Sequence, residues 1–115
     1  MIESYSFGSM VVDGEKYRDD LMIHDGEVKS GWVRGRGHLL RPGDLNWIVD
    51  REPDLLVVGT GSSGRMRIDD GVGKFLADKG IDLWSGKTKK AADHFNDERK
   101  QRGEEEVAGA FHLTC

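Results

Sequence analysis

The sequence predicts a mixed α/β domain in which an N-terminal antiparallel β-meander joins a βαβαβ layer with parallel strands and three helices. Two patterns favour this class. The first third contains short runs of β-forming residues separated by Asp-Gly pairs, which supply the left-handed backbone that tight hairpins need. The second half alternates apolar runs with helix-length segments, a pattern typical of parallel strands joined by right-handed crossovers. At 115 residues the chain fits a single domain, residues 1–115, with one core.

The first half is expected to hold five short strands and one short helix. Hairpin turns are predicted at Asp13-Gly14 and Asp25-Gly26, and three glycines make residues 31–40 an irregular connection or a bulged strand. Pro42 suits the first position of a helix that Pro53 prevents from continuing. The predicted strands are 2–7, 10–12, 16–17, 21–24 and 28–32, and the helix is 42–49.

The second half is more regular. Gly80 and Gly103 are placed to end helices, and Thr88 is placed as an N-cap, so local chemistry agrees with the apolar periodicity. The segment 65–68 is expected to be extended, which delays the first of these helices to about residue 70. The predicted strands are 55–58, 81–84 and 107–113, and the predicted helices are 70–79 and 88–102.

Charge and cysteine content narrow the possible partners and location. The 17 Lys and Arg residues are interleaved with 21 Asp and Glu, without a basic pole, which disfavours nucleic acid. The single cysteine, Cys115, excludes an internal disulfide, and no apolar run approaches the about 20 residues of a spanning helix. Met1-Ile-Glu-Ser lacks the basic start of a signal peptide. We therefore expect a cytoplasmic protein without membrane or nucleic-acid partners, present as a monomer or small homo-oligomer.

A candidate binding loop follows the apolar run of residues 54–58. A buried strand that enters a turn rich in glycine and hydroxyl groups is typical of an anion or small-ligand site at the carboxyl edge of a sheet, where backbone N–H groups face the ligand. Arg65 supplies a counter-charge, and the basic cluster around residues 34–41 supplies another, unless it is simply a solvated loop. The predicted ligand-binding residues are Gly59, Thr60, Gly61, Ser62, Ser63, Gly64, Arg65, Arg34 and His38.

Context argues against two familiar motifs. The glycines of Gly59-Thr-Gly-Ser-Ser-Gly64 match the dinucleotide fingerprint, but that motif needs a helix that opens within it, and residues 65–68 are expected to be extended. No Gly-Lys-Ser or Gly-Lys-Thr follows these glycines, so they are not a nucleoside-triphosphate loop. The four histidines are scattered singly, without metal-ligand spacing. No cofactor and no metal are expected.

Nucleophilic catalysis remains an alternative. Ser62 or Ser63, then Asp69 or Asp82, then His94 or His112 repeats the serine, acid, histidine order of α/β-hydrolases. The elbow is imperfect because Thr60 stands where glycine is expected, and turn serines that cap backbone groups explain the same residues. Cys115 is a second candidate nucleophile.

Several separated segments resemble one known family. They are Tyr5-Ser-Phe-Gly-Ser-Met-Val-Val-Asp-Gly14, Trp32 through Gly37-His38, Leu56-Val-Val-Gly-Thr-Gly61, Thr88, Phe95-Asn96 and Phe111-His-Leu-Thr-Cys115. The family is a small single-domain family of unknown activity typified by a methanogen hypothetical protein, and its relatives include the adipogenesis-associated domain protein and a mitochondrial complex I assembly factor. The resemblance implies an α/β fold with a β-rich part beside a βαβαβ layer, and no established substrate. The charged helix end at residues 97–102 departs from the family.

Two hypotheses follow. In the first, the chain is a non-catalytic, assembly-factor-like module that binds an anionic or small polar ligand, or a protein partner, at the 59–65 loop with Arg34 or His38 across the cleft. In the second, it is a small hydrolase or transferase that uses Ser62 or Ser63 with His112, or Cys115 as nucleophile.

Overall fold

A computed structural model describes residues 1–115 and confirms the mixed α/β class. The main sheet has five strands, ordered β5-β4-β10-β7-β9, and a second sheet has the order β1-β2-β3. The strands are β1 Ile2–Ser6, β2 Ser9–Val12, β3 Glu15–Tyr17, β4 Leu21–His24, β5 Glu27–Ser30, β6 Leu39–Leu40, β7 Leu55–Thr60, β8 Arg67–Ile68, β9 Asp82–Gly86 and β10 Val107–His112. A 3₁₀ turn over Pro42–Leu45 leads into α1, Asn46–Val49, and the other helices are α2, Asp70–Ala77, and α3, Thr88–Arg102.

The βαβαβ layer has the predicted parallel strands. β7 lies at its centre and pairs in parallel with both β10 and β9, while β4 adds to β10 in the antiparallel sense. The strand is covered on both faces, which is why its sequence is continuously apolar instead of alternating. Val57 points into the core shared with α3 and the β1–β3 sheet, and Leu56 and Val58 point into the core shared with α1 and α2.

The N-terminal strands differ from a single meander. The chain leaves the first sheet after Tyr17, and β4 and β5 join the main sheet beside β10 instead. The strand expected at 28–32 ends at Ser30 because Trp32 turns inward. The backbone N–H of Trp32 donates to the carbonyl of Asp20 at 2.9 Å, and its indole N–H donates to the carbonyl of Asp44 at 3.0 Å.

The predicted helix boundaries agree with the structure more closely than the predicted helix cap does. α3 spans the predicted residues, and α2 ends at Ala77, two residues before the predicted end. The prediction that Thr88 is an N-cap is wrong. Lys87 occupies that position, and the fully buried Thr88 hydroxyl instead accepts from the N–H of Gly61 and donates to the carbonyl of His112. No helix combines the length and apolar character needed to cross a membrane.

Candidate functional site

The 59–65 loop lies at the carboxyl edge of the main sheet, as predicted, and is packed against the chain that follows β10. Gly61 marks the closest approach. Its φ is +107°, and a Cβ built there would lie 2.2 Å from the carbonyl carbon of Cys115 and 2.9 Å from Cδ2 of His112. Both the left-handed backbone and the missing side chain are therefore required at this position.

The amide groups of this loop are largely committed within the protein. Gly61 N–H donates to the Thr88 hydroxyl at 2.9 Å, and Gly64 N–H donates to the carbonyl of Gly61 at 3.3 Å. Ser62 and Arg65 donate to the carbonyls of Thr114, at 2.6 Å, and Cys115, at 2.9 Å. The loop is thus joined to residues 114–115 by two backbone hydrogen bonds.

This pairing changes what the loop offers to a ligand. A row of outward N–H groups was expected, but among residues 61–65, which follow β7, only Ser63 has an N–H without a partner in the protein. The three surface cavities, of about 350–400 Å³, are lined by no residue of the loop. The assignment of residues 59–65 to a ligand site stays a prediction, and in this geometry it depends on side chains instead of a cradle of amides.

A buried polar cluster lies directly beneath the loop. The Oδ2 atom of Asp20 is 2.7 Å from both the Arg34 guanidinium Nη2 and the His112 Nδ1, and its Oδ1 accepts from the backbone N–H of Leu113 at 2.7 Å. Burial alone would raise the pKa of Asp20, but these hydrogen bonds and the charge of His112 hold the pKa below its usual value. Asp20 is therefore an anion at neutral pH.

The negative charge of Asp20 determines which ring nitrogen of His112 carries a hydrogen in the hydrogen bond between them. An ionised carboxylate only accepts, so the His112 Nδ1 carries a hydrogen and its Nε2 is free to accept in the neutral ring. Thr114 Oγ1 lies 3.5 Å from that Nε2. The Arg34 Nη2 atom, 3.1 Å from His112 Nδ1, is then a packing neighbour of that nitrogen and not its hydrogen-bond donor.

Arg34, predicted as a ligand-binding residue, is committed to the interior. It is 7% exposed, its guanidinium stacks 4.6 Å over the Trp32 ring, and its Nε and Nη2 both donate to the carbonyl of Gly37. Its Nη1 is buried without a hydrogen-bond partner. Arg34 therefore pins the irregular 31–40 segment to the sheet and does not face solvent.

The structure brings together the two basic segments that the sequence separates. β6 pairs in parallel with β8, so that Leu39 faces Arg67, and the N–H of Arg67 donates to the carbonyl of His38 at 2.8 Å. The exposed His38 ring lies edge-on to His112, with ring centroids 5.5 Å apart. Arg34, His38 and the 59–65 loop, which were predicted to form one site, are thus neighbours through His112.

Five exposed cations surround this junction and form what we call the basic rim: Arg36, Arg41, Arg65, Arg67 and Lys87. None of them makes an ion pair within the protein. Lys87 lies along the loop, with its Cγ 3.4 Å from a Cβ built at Gly64, and Arg41 Nη2 reaches the backbone of Gly35. Sequence reasoning missed Arg67 and Lys87, although the spacing of Arg65 and Arg67 in an extended segment already placed two cations on one side.

Two acidic residues near the rim accept hydrogen bonds from backbone N–H groups. Asp44 accepts from the backbone N–H of Arg41 and Gly35, and Asp69 caps α2 by accepting from Gly71. One cavity of about 350 Å³ borders the rim, and its lining combines one cation with two carboxylates: Leu39, Arg67, Ile68, Asp69 and Asp70. That cavity does not favour a small anion.

The serine, acid, histidine order of a hydrolase is not assembled from the acids proposed for it. Asp69 is a helix cap, Asp82 begins β9 at the opposite end of the strand, and His94 stacks on Trp84 with centroids 4.3 Å apart. His112 does have an acid partner, Asp20, which is 92 residues away in sequence and was not predicted. Neither serine hydroxyl hydrogen-bonds to His112; that of Ser62 lies beside the Tyr5 phenol, whose pKa burial raises. No group of three or more potential metal ligands is present.

The fold and site together define a small mixed α/β domain with a closed loop and a basic carboxyl edge. The chain belongs to the family described as "Protein of unknown function (DUF498/DUF598)", whose model matches residues 2–112. This confirms that the chain belongs to a family of unknown function.

Solved structures share the fold along the whole chain. A conserved hypothetical protein from Pyrococcus horikoshii is 24% identical, with 100% of this chain and 99% of that one covered and a TM-score of 0.85. A protein from Xanthomonas campestris is 18% identical, with 98% and 83% covered and a TM-score of 0.82. A Mth938-like domain from Bordetella pertussis is 17% identical, with 98% and 85% covered and a TM-score of 0.63. At these identities the likeness concerns the fold.

Proposed function

We propose that this chain is a protein-interaction domain whose basic rim binds an acidic segment of a partner protein. The observation that carries the proposal is the pairing of β6 with β8, which brings together cations from the 36–41 and 65–67 segments, none of which makes an ion pair within the protein. Clustered like charges repel one another in the free protein, so an acidic partner both gains attraction and relieves that repulsion.

A macromolecular partner fits this surface better than a small ligand does. Small-molecule sites are concave and enclose most of their ligand. The loop has no cavity, and four of its N–H groups are already bonded. Exposed charged side chains are instead typical of the polar part of a protein interface.

The choice of a protein over nucleic acid rests on the remaining charge. The chain has a formal net charge of -4, so a long polyanion that passed beyond the rim would meet net negative surface. A short acidic segment contacts the rim alone. The sequence motifs resemble a family whose relatives include a complex I assembly factor, and a role exerted through a protein partner agrees with that resemblance.

A charge-reversal experiment tests the proposal. The probe is a twelve-residue peptide of Glu and Ser, titrated into the ¹⁵N-labelled protein at low salt and followed by NMR. We expect shift changes at residues 36–41 and 65–67, and their loss in the Arg65→Glu/Arg67→Glu variant. The control, Lys16→Glu/Lys29→Glu, makes the same charge change at exposed positions on β3 and β5 and should bind nearly as the unmodified protein does.

Three outcomes count against the proposal. Equal loss in both double variants would mean that net charge alone governs binding. Silence at the rim would remove the site. Stronger binding of inorganic phosphate or of a twelve-nucleotide single strand at the same residues would favour the small-anion or nucleic-acid alternative.

The pairing of Asp20 with His112 specifically favours a second candidate, the small hydrolase or transferase. A carboxylate 2.7 Å from Nδ1 orients an imidazole as it does in serine hydrolases, leaving Nε2 to accept a proton from a hydroxyl or thiol. Ser62, Ser63 and Cys115 are the available nucleophiles. Labelling by a fluorophosphonate or iodoacetamide probe should then be faster in the folded protein than in urea and should be lost in His112→Gln. Equal rates in the two states would eliminate this candidate.

A further inference from the structure

We infer that Phe7 and Val33 are apolar anchors for the same partner, so that the segment bound by the basic rim carries apolar side chains among its acidic ones. This inference rests on the proposed function and names the chemistry of the partner more closely. Phe7 is 64% exposed and Val33 86% exposed, and the single other large apolar side chain with such exposure is Met1.

Val33 is held outward by the residues on either side of it. Trp32 and Arg34 are both buried, and successive side chains of an extended segment alternate in direction. Trp32 is fixed by hydrogen bonds to Asp20 and Asp44, and Arg34 by its bonds to Asp20 and Gly37. The backbone between two such fixed points has little freedom, so Val33 is presented in one position.

Phe7 is presented in a similar way from the β1–β2 turn. It precedes Gly8, whose φ of +82° is needed to reverse the chain. The N–H of Gly8 donates to the carbonyl of Leu113 at 2.8 Å, which ties the turn to the end of β10. An exposed aromatic side chain on a fixed turn loses little entropy when a partner covers it.

Backbone contacts connect the segments of both anchors to the basic rim. Residues 113–115 pair with the β1–β2 turn on one side, through Gly8, and with the 59–65 loop on the other, through Ser62 and Arg65. Neighbouring strands lie about 5 Å apart, so two such steps, from the turn to residues 113–115 and from there to the loop, amount to about 10 Å. Val33 belongs to the segment that continues into the rim at Arg36, and Asp20 joins that segment to Leu113.

The combination determines what kind of segment fits. Interfaces place apolar contacts in a water-excluding centre and charged contacts around it. Two fixed apolar side chains next to unpaired cations match a segment that alternates acidic and apolar residues. A purely acidic segment leaves Phe7 and Val33 in water.

Paired peptides test this inference separately from the proposed function. The first probe is the twelve-residue Glu and Ser peptide, and the second replaces two of its serines with leucine. We expect the leucine peptide to bind about tenfold more tightly, as contact with one or two apolar side chains provides. In Phe7→Ser and in Val33→Thr the ratio of the two affinities should fall toward one, while the affinity for the serine peptide stays unchanged. Val11→Thr, at a half-buried position on β2, is the control and should keep the preference.

The outcomes distinguish the two proposals. Equal binding of the two peptides at the rim would overturn the inference and leave the proposed function standing. A preference that survives both anchor substitutions would also overturn it, because the leucines would then contact another surface. Failure of both peptides to bind would remove the proposed function, and the inference with it.

Discussion

Replacing Gly61 with alanine should separate the 59–65 loop from the residues that follow β10. The left-handed backbone, φ +107°, costs a non-glycine residue about 1–2 kcal/mol. The new Cβ would also lie 2.2 Å from the backbone of Cys115, too close for any rotamer change to relieve. Residues 114–115 must therefore move away, and the two hydrogen bonds that they accept from Ser62 and Arg65 contribute about 1 kcal/mol each. We expect Gly61→Ala to lower the free energy of unfolding by about 3–4 kcal/mol.

Urea unfolding measures this loss, with Gly73→Ala as the matched control. Gly73 lies inside α2 with nothing within 4 Å of its Cβ position, so alanine there should stabilise the protein by about 0.5–1 kcal/mol. In Gly61→Ala, NMR shift changes should also concentrate at residues 59–65 and 113–115. A loss below about 1 kcal/mol, or shift changes spread evenly over the chain, would refute the packed-loop geometry.

Three further substitutions, one of them with a matched comparison, test other contacts. Asp20→Asn should lower the free energy of unfolding by about 3–5 kcal/mol because Arg34 stays buried without its counter-charge. The pKa of Asp20 is lowered in the folded protein, so the stability that its charge contributes is present above about pH 4 and is lost as the pH falls. The difference in stability between wild type and variant should therefore narrow in acid. A gap that stays constant with pH would contradict this. Thr88→Val should cost about 1–3 kcal/mol in the same urea assay because Gly61 N–H and the His112 carbonyl both lose their partner, whereas Thr60→Val breaks one half-exposed bond and should cost less. Asn96→Ala should cost about 1–2 kcal/mol and speed amide exchange in β1, since its side chain bonds both backbone groups of Ile2; unchanged exchange there would count against it.

Local chemistry accounts for what the sequence predicted well. The apolar run before Gly59 predicted β7, and Gly103 predicted the end of α3, because each signal acts within a few residues of the element that it shapes. The alternation of strands and helices then constrained the sheet to parallel neighbours. None of these steps needed knowledge of which distant residues meet.

Contacts between distant residues account for what the sequence did not predict. Asp20 meets Leu113 across 93 positions, and Asn96 meets Ile2 across 94. Threonine is a residue type that often caps helices, yet the Thr88 hydroxyl bonds to Gly61 and His112 instead. Arg34 stands in a loop rich in glycine and charge, where a solvated side chain is the usual outcome, and its burial depends on Asp20. Residue type alone carries no signal for such pairings.

The basic rim shows why averaged charge is a poor guide to a surface. Counted along the chain, cations and anions are interleaved, and this correctly describes a protein with net charge -4. The rim arises because three segments, 36–41, 65–67 and residue 87, contribute one or two cations each and meet through β6, β8 and the closed loop. Its field is therefore short-ranged against an acidic background, and at 0.1 M salt, where screening acts over about 10 Å, it acts at contact and not at a distance. Affinity for an acidic segment should then depend on a few direct ion pairs, and apolar contacts such as those of Phe7 and Val33 become the part of the interface that salt does not weaken.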